Sequence, residues 1–240
     1  MALSQVSMIK RVQSVLNTRP DGYPGRHTWS CFYLATEKKE NIKFPYTIKA
    51  FRNYLHITDP KLVRPFNPKG NSIRNLKNCI SGSFSWNREP ISIMCYDDAV
   101  IRQFSCHYWL DRPESVLWYS KDGKFGISQI INAKDLPNNL LWAIGGSGLK
   151  YGDAEKEGFT GKYSDVFRRT SHMLIGFDQY GYFNAVEVSY MNKSQMIEHM
   201  KKLGIDTYIL LDGGHVTASN VDGHKRNLNT PQYYAISLEG

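Results

Sequence analysis

The residues best suited to chemistry sit in Leu211-Asp212-Gly213-Gly214-His215, where a carboxylate and two glycines end the apolar run Tyr208-Ile209-Leu210-Leu211. A buried strand closing on this turn puts a charge at a sheet edge, and glycines allow a ligand to come close to the backbone. Successive glycine amides form a concave anion site, and His215 adds a group that titrates near neutrality. Upstream, Arg168-Arg169-Thr170-Ser171-His172 leads into the strand Met173-Leu174-Ile175-Gly176-Phe177. A guanidinium matches phosphate or carboxylate oxygens as a fork, whereas lysine offers a point charge. Arg169 is the candidate cation, with Arg168 read as facing solvent.

The elements that must position these groups follow from pattern. Asp178-Gln179-Tyr180-Gly181 reads as a hairpin turn into a second strand ending at Ser189. Asn192 is placed to cap a helix with Gln195 three residues on, Met196, Ile197, Met200 and Leu203 give its buried stripe, and Gly204 ends it. The strand ending at Asp212 follows directly, and because sequential elements usually neighbour one another, Arg169 and Asp212 are expected at one edge of a mixed sheet. His172 and Glu187 lie on these strands, and alternation leaves either one facing the site or solvent.

Two further turns carry small residues. Ile80-Ser81-Gly82-Ser83-Phe84 precedes the strand candidate at residues 90–96, and either lets a ligand reach the backbone or lets two layers pack. Ile144-Gly145-Gly146-Ser147-Gly148 lacks the Lys-Ser/Thr ending of a phosphate loop, so nucleotide-cofactor binding is not expected. No cysteine pair or calcium-loop carboxylate spacing is present, so neither a metal site nor a cofactor is predicted. Trp86, Trp109, Trp118 and Trp142 are suited to stack on sugar rings or to fill the core.

Length and composition bound the rest. The 240 residues are 41% apolar, enough for one sizeable core. A net charge of +8 favours anionic partners, yet the basic residues are scattered and no specific nucleic-acid motif appears. Neither a secretion leader nor a membrane-spanning run is read, which predicts a cytoplasmic product without membrane insertion, open to release on lysis. Cys31, Cys79, Cys95 and Cys106 are expected as buried free thiols.

Residues 1–30 read as a unit of their own. Val6, Ile9, Val12, Val15 and Leu16 recur at helical spacing behind Ser4, and Pro20-Asp21-Gly22-Tyr23-Pro24-Gly25 and Thr28-Trp29 follow. This segment resembles part of a peptidoglycan-binding repeat, which implies either contact with cell-wall glycan or an N-terminal brace. Residues 31–240 are then the main domain.

The ordered set in that domain resembles the phosphodiester glycosidase family, which includes the lysosomal uncovering enzyme. The residues carrying the likeness are Ile80-Ser81-Gly82-Ser83-Phe84-Ser85, Ile144-Gly145-Gly146-Ser147-Gly148, Arg169-Thr170 and Leu211-Asp212-Gly213-Gly214-His215-Val216-Thr217. The family pattern has Asn where Ser81 stands and a third Gly where His215 stands. The resemblance implies an α/β (α+β) fold with a mixed, largely antiparallel central sheet and flanking helices. It also implies a hydrolase cleaving a sugar-phosphodiester; the wall-binding-like N-terminal segment points to a bacterial envelope polymer or related glycan as its substrate and, with no leader read, to a phage-encoded lysis-type product. Asp212, Arg169 and His215 are then catalytic. Ser81, Gly82, Gly145, Gly146, Thr170, Gly213, Gly214, Thr217 and Arg226 are substrate-binding. Asp212 and Arg169 should share one cleft with the Gly82 and Gly145 turns. The departures at Ser81 and His215 leave open a binding protein that captures a phosphate-containing sugar or nucleotide without cleaving it.

Overall fold

The computed structural model describes residues 44–50 and 53–239. The helix expected over residues 6–16, the wall-binding-like unit of residues 1–30 and Cys31 lie outside the described residues.

The strands in chain order are β1 Tyr46–Ala50, β2 Asn53–Thr58, β3 Arg64–Phe66, β4 Cys79–Ser81, β5 Ser85–Trp86, β6 Glu89–Pro90, β7 Met94–Tyr96 and β8 Ala99–Arg102. They continue as β9 Glu114–Ser120, β10 Phe125–Ile130, β11 Leu140–Gly146, β12 Thr170–Asp178, β13 Phe183–Met191, β14 Ile205–Gly213, β15 Ser219–Val221, β16 His224–Arg226 and β17 Ala235–Ser237. Three five-stranded sheets form, in the orders β1-β2-β13-β12-β14, β10-β9-β11-β7-β8 and β16-β15-β4-β17-β3, with β5-β6 as a separate hairpin.

This arrangement corrects the expected α/β architecture. The chain is mostly β in antiparallel sheets, and the described residues contain two α-helices, α1 (Asp153–Glu157) and α2 (Lys193–Leu203). The physical reason lies in run length and turn chemistry. Most apolar runs are short, and several are joined by two residues that both hold positive φ: Asn87 and Arg88, Asp97 and Asp98, Asp222 and Gly223. That geometry matches the right-handed twist of paired strands and closes tight hairpins. Among the described residues, only the stretch at α2 sustains helical periodicity together with both caps. Asn192 and Gln195 form the reciprocal capping box, and Gly204 closes the helix with φ 72°.

The first sheet is buried on both faces, which is why β12 reads as an unbroken apolar run. Met173, Ile175 and Phe177 point into the central core with Trp142, Phe183, Ile209 and Tyr234. Leu174 faces the other way, joining Met196, Met200 and Leu203 of α2. Trp142 is a core residue: its ring stacks on Phe177 at 5.7 Å and its indole N–H donates to the Pro60 carbonyl at 2.8 Å.

The glycine turn expected at residues 144–148 is instead the end of β11. Gly145 and Gly146 exist for close packing, since a Cβ on Gly146 would lie 2.5 Å from the Leu210 carbonyl oxygen. Ser147 and Leu210 exchange backbone hydrogen bonds of 2.8 Å there, pinning the end of β11 beside β14 and so fixing where Asp212 emerges. No helix among the described residues is long and apolar enough to cross a membrane.

Candidate functional site

Asp212 is the penultimate residue of β14, and it opens into a cavity of about 790 Å³. Four segments build the walls. Phe84, Ser85 and Trp86 come from the approach to the β5-β6 hairpin and its first strand, and Cys106, His107 and Trp109 from the loop before β9. Lys162, Tyr163, Asp165 and Arg168 come from the 3-10 segment Gly161–Phe167 and its C-cap. Thr170 and His172 of β12, with Asp212, Gly213 and His215, form the remaining wall.

The Asp212 carboxylate is raised from 3.8 to about 6, chiefly because burial disfavours its charged form. The Gly213 amide, which donates to Asp212 Oδ1 at 2.8 Å, and the nearby Arg168 charge pull the other way, while Asp165 adds to the rise. Asp212 is therefore ionised at neutral pH yet close enough to neutrality to exchange a proton. His172 is pushed down by burial. Its Nε2 donates to the Arg168 carbonyl at 2.9 Å, which leaves Nδ1 as the acceptor nitrogen, buried and without a hydrogen-bond partner.

Cations and aromatic rings share the space. Arg168 reaches Asp165 at 3.3 Å with more than half of its side chain exposed, and Lys162 lies over the Tyr163 ring at 4.9 Å. Trp86 and Trp109 are 75% and 52% exposed at the cavity, Trp109 in edge contact with His107 and Tyr108, whereas Trp118 is turned aside by its hydrogen bond to Ser128. A cavity with two carboxylates, two cations and flat apolar walls can bind an anionic ligand carrying a ring once Arg168 is released from Asp165, and can move a proton at Asp212.

The expected site residues divide sharply by position. Asp212, Gly213, His215 and Thr170 line the cavity. Gly214 abuts it: it holds φ 72°, which favours glycine, and Arg168 Nη2 lies 2.9 Å from where its Cβ would be. Arg169 does not line the cavity; its Nε donates to the Tyr190 carbonyl at 2.9 Å across the neighbouring strand. Arg168 occupies the place expected for Arg169, and it does so as the C-cap of the 3-10 segment before β12.

Five other residues are absorbed by the fold. Ser81 is buried and its Oγ accepts from the Ala218 amide at 3.1 Å. Gly82 packs against Tyr234, whose carbonyl carbon would lie 2.8 Å from an added Cβ, and Gly145 lies against Ile93 and Glu114. Thr217 is buried and donates to the Ser171 carbonyl at 3.2 Å. Arg226 is engaged by Glu187, Ser189 and Ser171. The cleft shared with the Gly82 and Gly145 turns is thus not formed, although Phe84 and Ser85, just past Gly82, do reach the cavity.

Sequence reading passed over Lys162, Asp165 and His107. They sit on irregular segments, where no period tells which way a side chain points. The one available signal was density: Lys162, Tyr163, Asp165 and Arg168 crowd into a stretch with neither strand nor helix pattern, directly before the Arg-Thr motif. The described cysteines, Cys79, Cys95 and Cys106, are buried free thiols. Cys106 is at the cavity, and burial together with Glu114 keeps it protonated.

No protein-family model and no curated relative matches the sequence. Solved structures do share the fold. The catalytic domain of zebrafish N-acetylglucosamine-1-phosphodiester alpha-N-acetylglucosaminidase, auto-inhibited by its pro-peptide, is similar with a TM-score of 0.65 at 13% identity, over 85% of this chain and 86% of that one. A hypothetical protein from Synechocystis is similar with a TM-score of 0.52 at 12% identity, over 82% of this chain and 60% of the other. A putative exported protein from Burkholderia pseudomallei gives a TM-score of 0.56 at 9% identity, over 78% and 74%. The fold therefore resembles that of a phosphodiester glycosidase catalytic domain, and at these identities the likeness is one of fold.

Proposed function

We propose that the chain is a hydrolase that cleaves the bond between the anomeric carbon of a sugar and a phosphodiester, working in the Asp212 cavity. The observation that carries this reading is the meeting, in one cavity, of a carboxylate raised to about 6 with Lys162, Arg168 and exposed tryptophan faces. A sugar-1-phosphodiester presents the complementary set: an anion, a ring with an apolar face and an electrophilic carbon between them.

In this reading Arg168 and Lys162 hold the phosphate, with the guanidinium fork giving orientation. Trp86 or Trp109 stacks on the sugar. Cleavage passes through an oxocarbenium-like state, which an adjacent carboxylate stabilises or attacks, or for which it activates water. Asp212 fills that role. Phosphate leaves as a stable anion, so an acid on the departing oxygen contributes little. Asp165 is the second cavity carboxylate and must yield Arg168 to the incoming phosphate. The Gly213 amide is already taken by Asp212 Oδ1, so it holds the carboxylate in place rather than the substrate.

The test is release of reducing sugar from defined sugar-1-phosphodiesters, with wall polymers containing such links assayed beside them. Turnover by the native chain, and a loss of at least about 100-fold in Asp212→Asn, is the expected result. Turnover unchanged in Asp212→Asn removes the mechanism. A second reading, capture of a phosphate-containing sugar or nucleotide without cleavage, draws on the absorption of Ser81, Thr217 and Arg226 into structural contacts. Recovery of an intact bound ligand with no turnover selects it.

A further inference from the structure

Away from the cavity, the seam between the first and third sheets holds a second cluster that the proposed chemistry does not use. His56 on β2, Glu187 on β13 and His224 on β16 each offer one ligand atom, and these atoms all lie within 4.8 Å of one another. His56 and Glu187 are fully buried, and the His224 side chain is 14% exposed.

The hydrogen bonds around the cluster fix its donor atoms. Thr47 Oγ1 donates to the Val221 carbonyl at 3.2 Å, so it accepts from His56 Nδ1 at 2.9 Å. His56 Nε2 is then the lone-pair nitrogen, and it is buried with no hydrogen-bond partner. Such an orphaned acceptor costs free energy unless something fills its lone pair. The opposite nitrogen bonded to a hydroxyl is the support that orients a metal-binding imidazole.

The carboxylate is prepared in the same sense. Arg226 engages Glu187 Oε1, while Oε2 accepts from Ser219 at 2.6 Å and faces His224 Nε2 at 3.3 Å. Arg226 on one oxygen, with Ser219 and His224 on the other, fixes the orientation of the buried side chain toward the cluster.

We propose that His56, Glu187 and His224 form a binding site for a divalent first-row transition metal, zinc foremost, that clips the first sheet to the third. Two imidazoles and one carboxylate are a common donor set for such ions. Ligands at about 2.1 Å from a tetrahedral ion stand about 3.4 Å apart, so a pair at the 4.8 Å limit closes by about 1.4 Å on binding, within reach of side-chain rotation. The metal replaces the proton between His224 Nε2 and Glu187 Oε2. Arg226 balances the carboxylate charge, which gives the site the net charge of a three-imidazole zinc centre. His224, on the solvent side, is the point of entry.

The experiment is zinc and cobalt titration of the full chain after chelator treatment, read by bound metal per chain, by the visible absorption of bound cobalt and by Tm. Native protein is expected to retain about one equivalent after gel filtration, with saturating metal raising Tm by about 5 °C. His56→Gln and His224→Gln should each weaken binding at least about 100-fold, and Thr47→Val about tenfold. His224 is partly exposed in a short hairpin, so its variant stays folded and keeps the test intact should His56→Gln fail to fold. A native chain that retains no metal, or a folded His224→Gln that binds as tightly as the native chain, overturns the proposal. Neither result bears on Asp212, because neither residue lines its cavity.

Discussion

His172 on β12 and Gly213 on β14 are register partners, and the imidazole fills the space that a side chain at 213 would need, with Nδ1 2.5 Å from an ideal Cβ. Asp212 is thus carried past the end of a close strand contact and held by its own neighbour's amide. Gly213 has extended dihedrals, φ −128° and ψ −171°, so its requirement for glycine is steric rather than conformational. Gly213→Ala is expected to displace His172 and tilt Asp212, costing about 1–3 kcal/mol of stability and most of the turnover. Chemical denaturation beside the sugar-release assay checks both.

The acid limb of activity should fall near pH 6, where Asp212 takes up a proton. The stability effect has the opposite sense. The folded-state value lies above the ordinary 3.8, so the native chain binds more protons than the unfolded one between about pH 4 and 6. Stability conferred by this group is complete below about pH 4 and is lost as pH rises through about 6. Asp212→Asn removes that slope and gains on the order of 2 kcal/mol at pH 7 relative to the native chain. Denaturant midpoints across pH 4 to 8 measure it.

Arg168 and Arg169 separate cleanly by contact, since one lines the cavity and the other bonds the Tyr190 carbonyl. Arg168→Ala should raise KM for an anionic substrate by about 10–100-fold, the worth of a charge-assisted contact. Arg169→Ala should leave KM within about twofold. Equal effects from the two variants would contradict the placement of the phosphate.

Local elements of this fold are readable in the chain while its mostly antiparallel β architecture is not, and the failures have specific causes. The α2 caps, its buried stripe, the Asp178–Gly181 turn and the strand ending at the Asp-Gly-Gly turn all rest on local rules that tertiary contacts reinforced. The glycines at 82, 145 and 146 looked like ligand turns because a sequence cannot distinguish a backbone that meets a ligand from one that meets Tyr234 or Leu210. Arg169 is favoured over Arg168 by the Arg-Thr motif, whereas Arg168 caps the 3-10 segment before β12, where no periodicity tells which way a side chain points. Lys162 and Asp165 carry no periodic signal at all, and Glu187 meets Arg226 only through the pairing of sheets.

Arg226→Ala tests the reassignment of that guanidinium from substrate to structure. It strips the principal cationic partner from a fully buried carboxylate, which should cost about 3 kcal/mol. A large loss of stability in urea, with KM unchanged in whatever remains folded, is the expected pattern. Raised KM at unaltered stability would return Arg226 to the ligand.

The β5-β6 hairpin pairs with neither neighbouring sheet, yet it brings Trp86 to the cavity, three-quarters exposed. A rim element of this kind can be lengthened, shortened or recoded without breaking a ladder that the core depends on. Ligand preference in this scaffold is therefore free to drift on a timescale of its own, with the Asp212 wall left untouched beneath it.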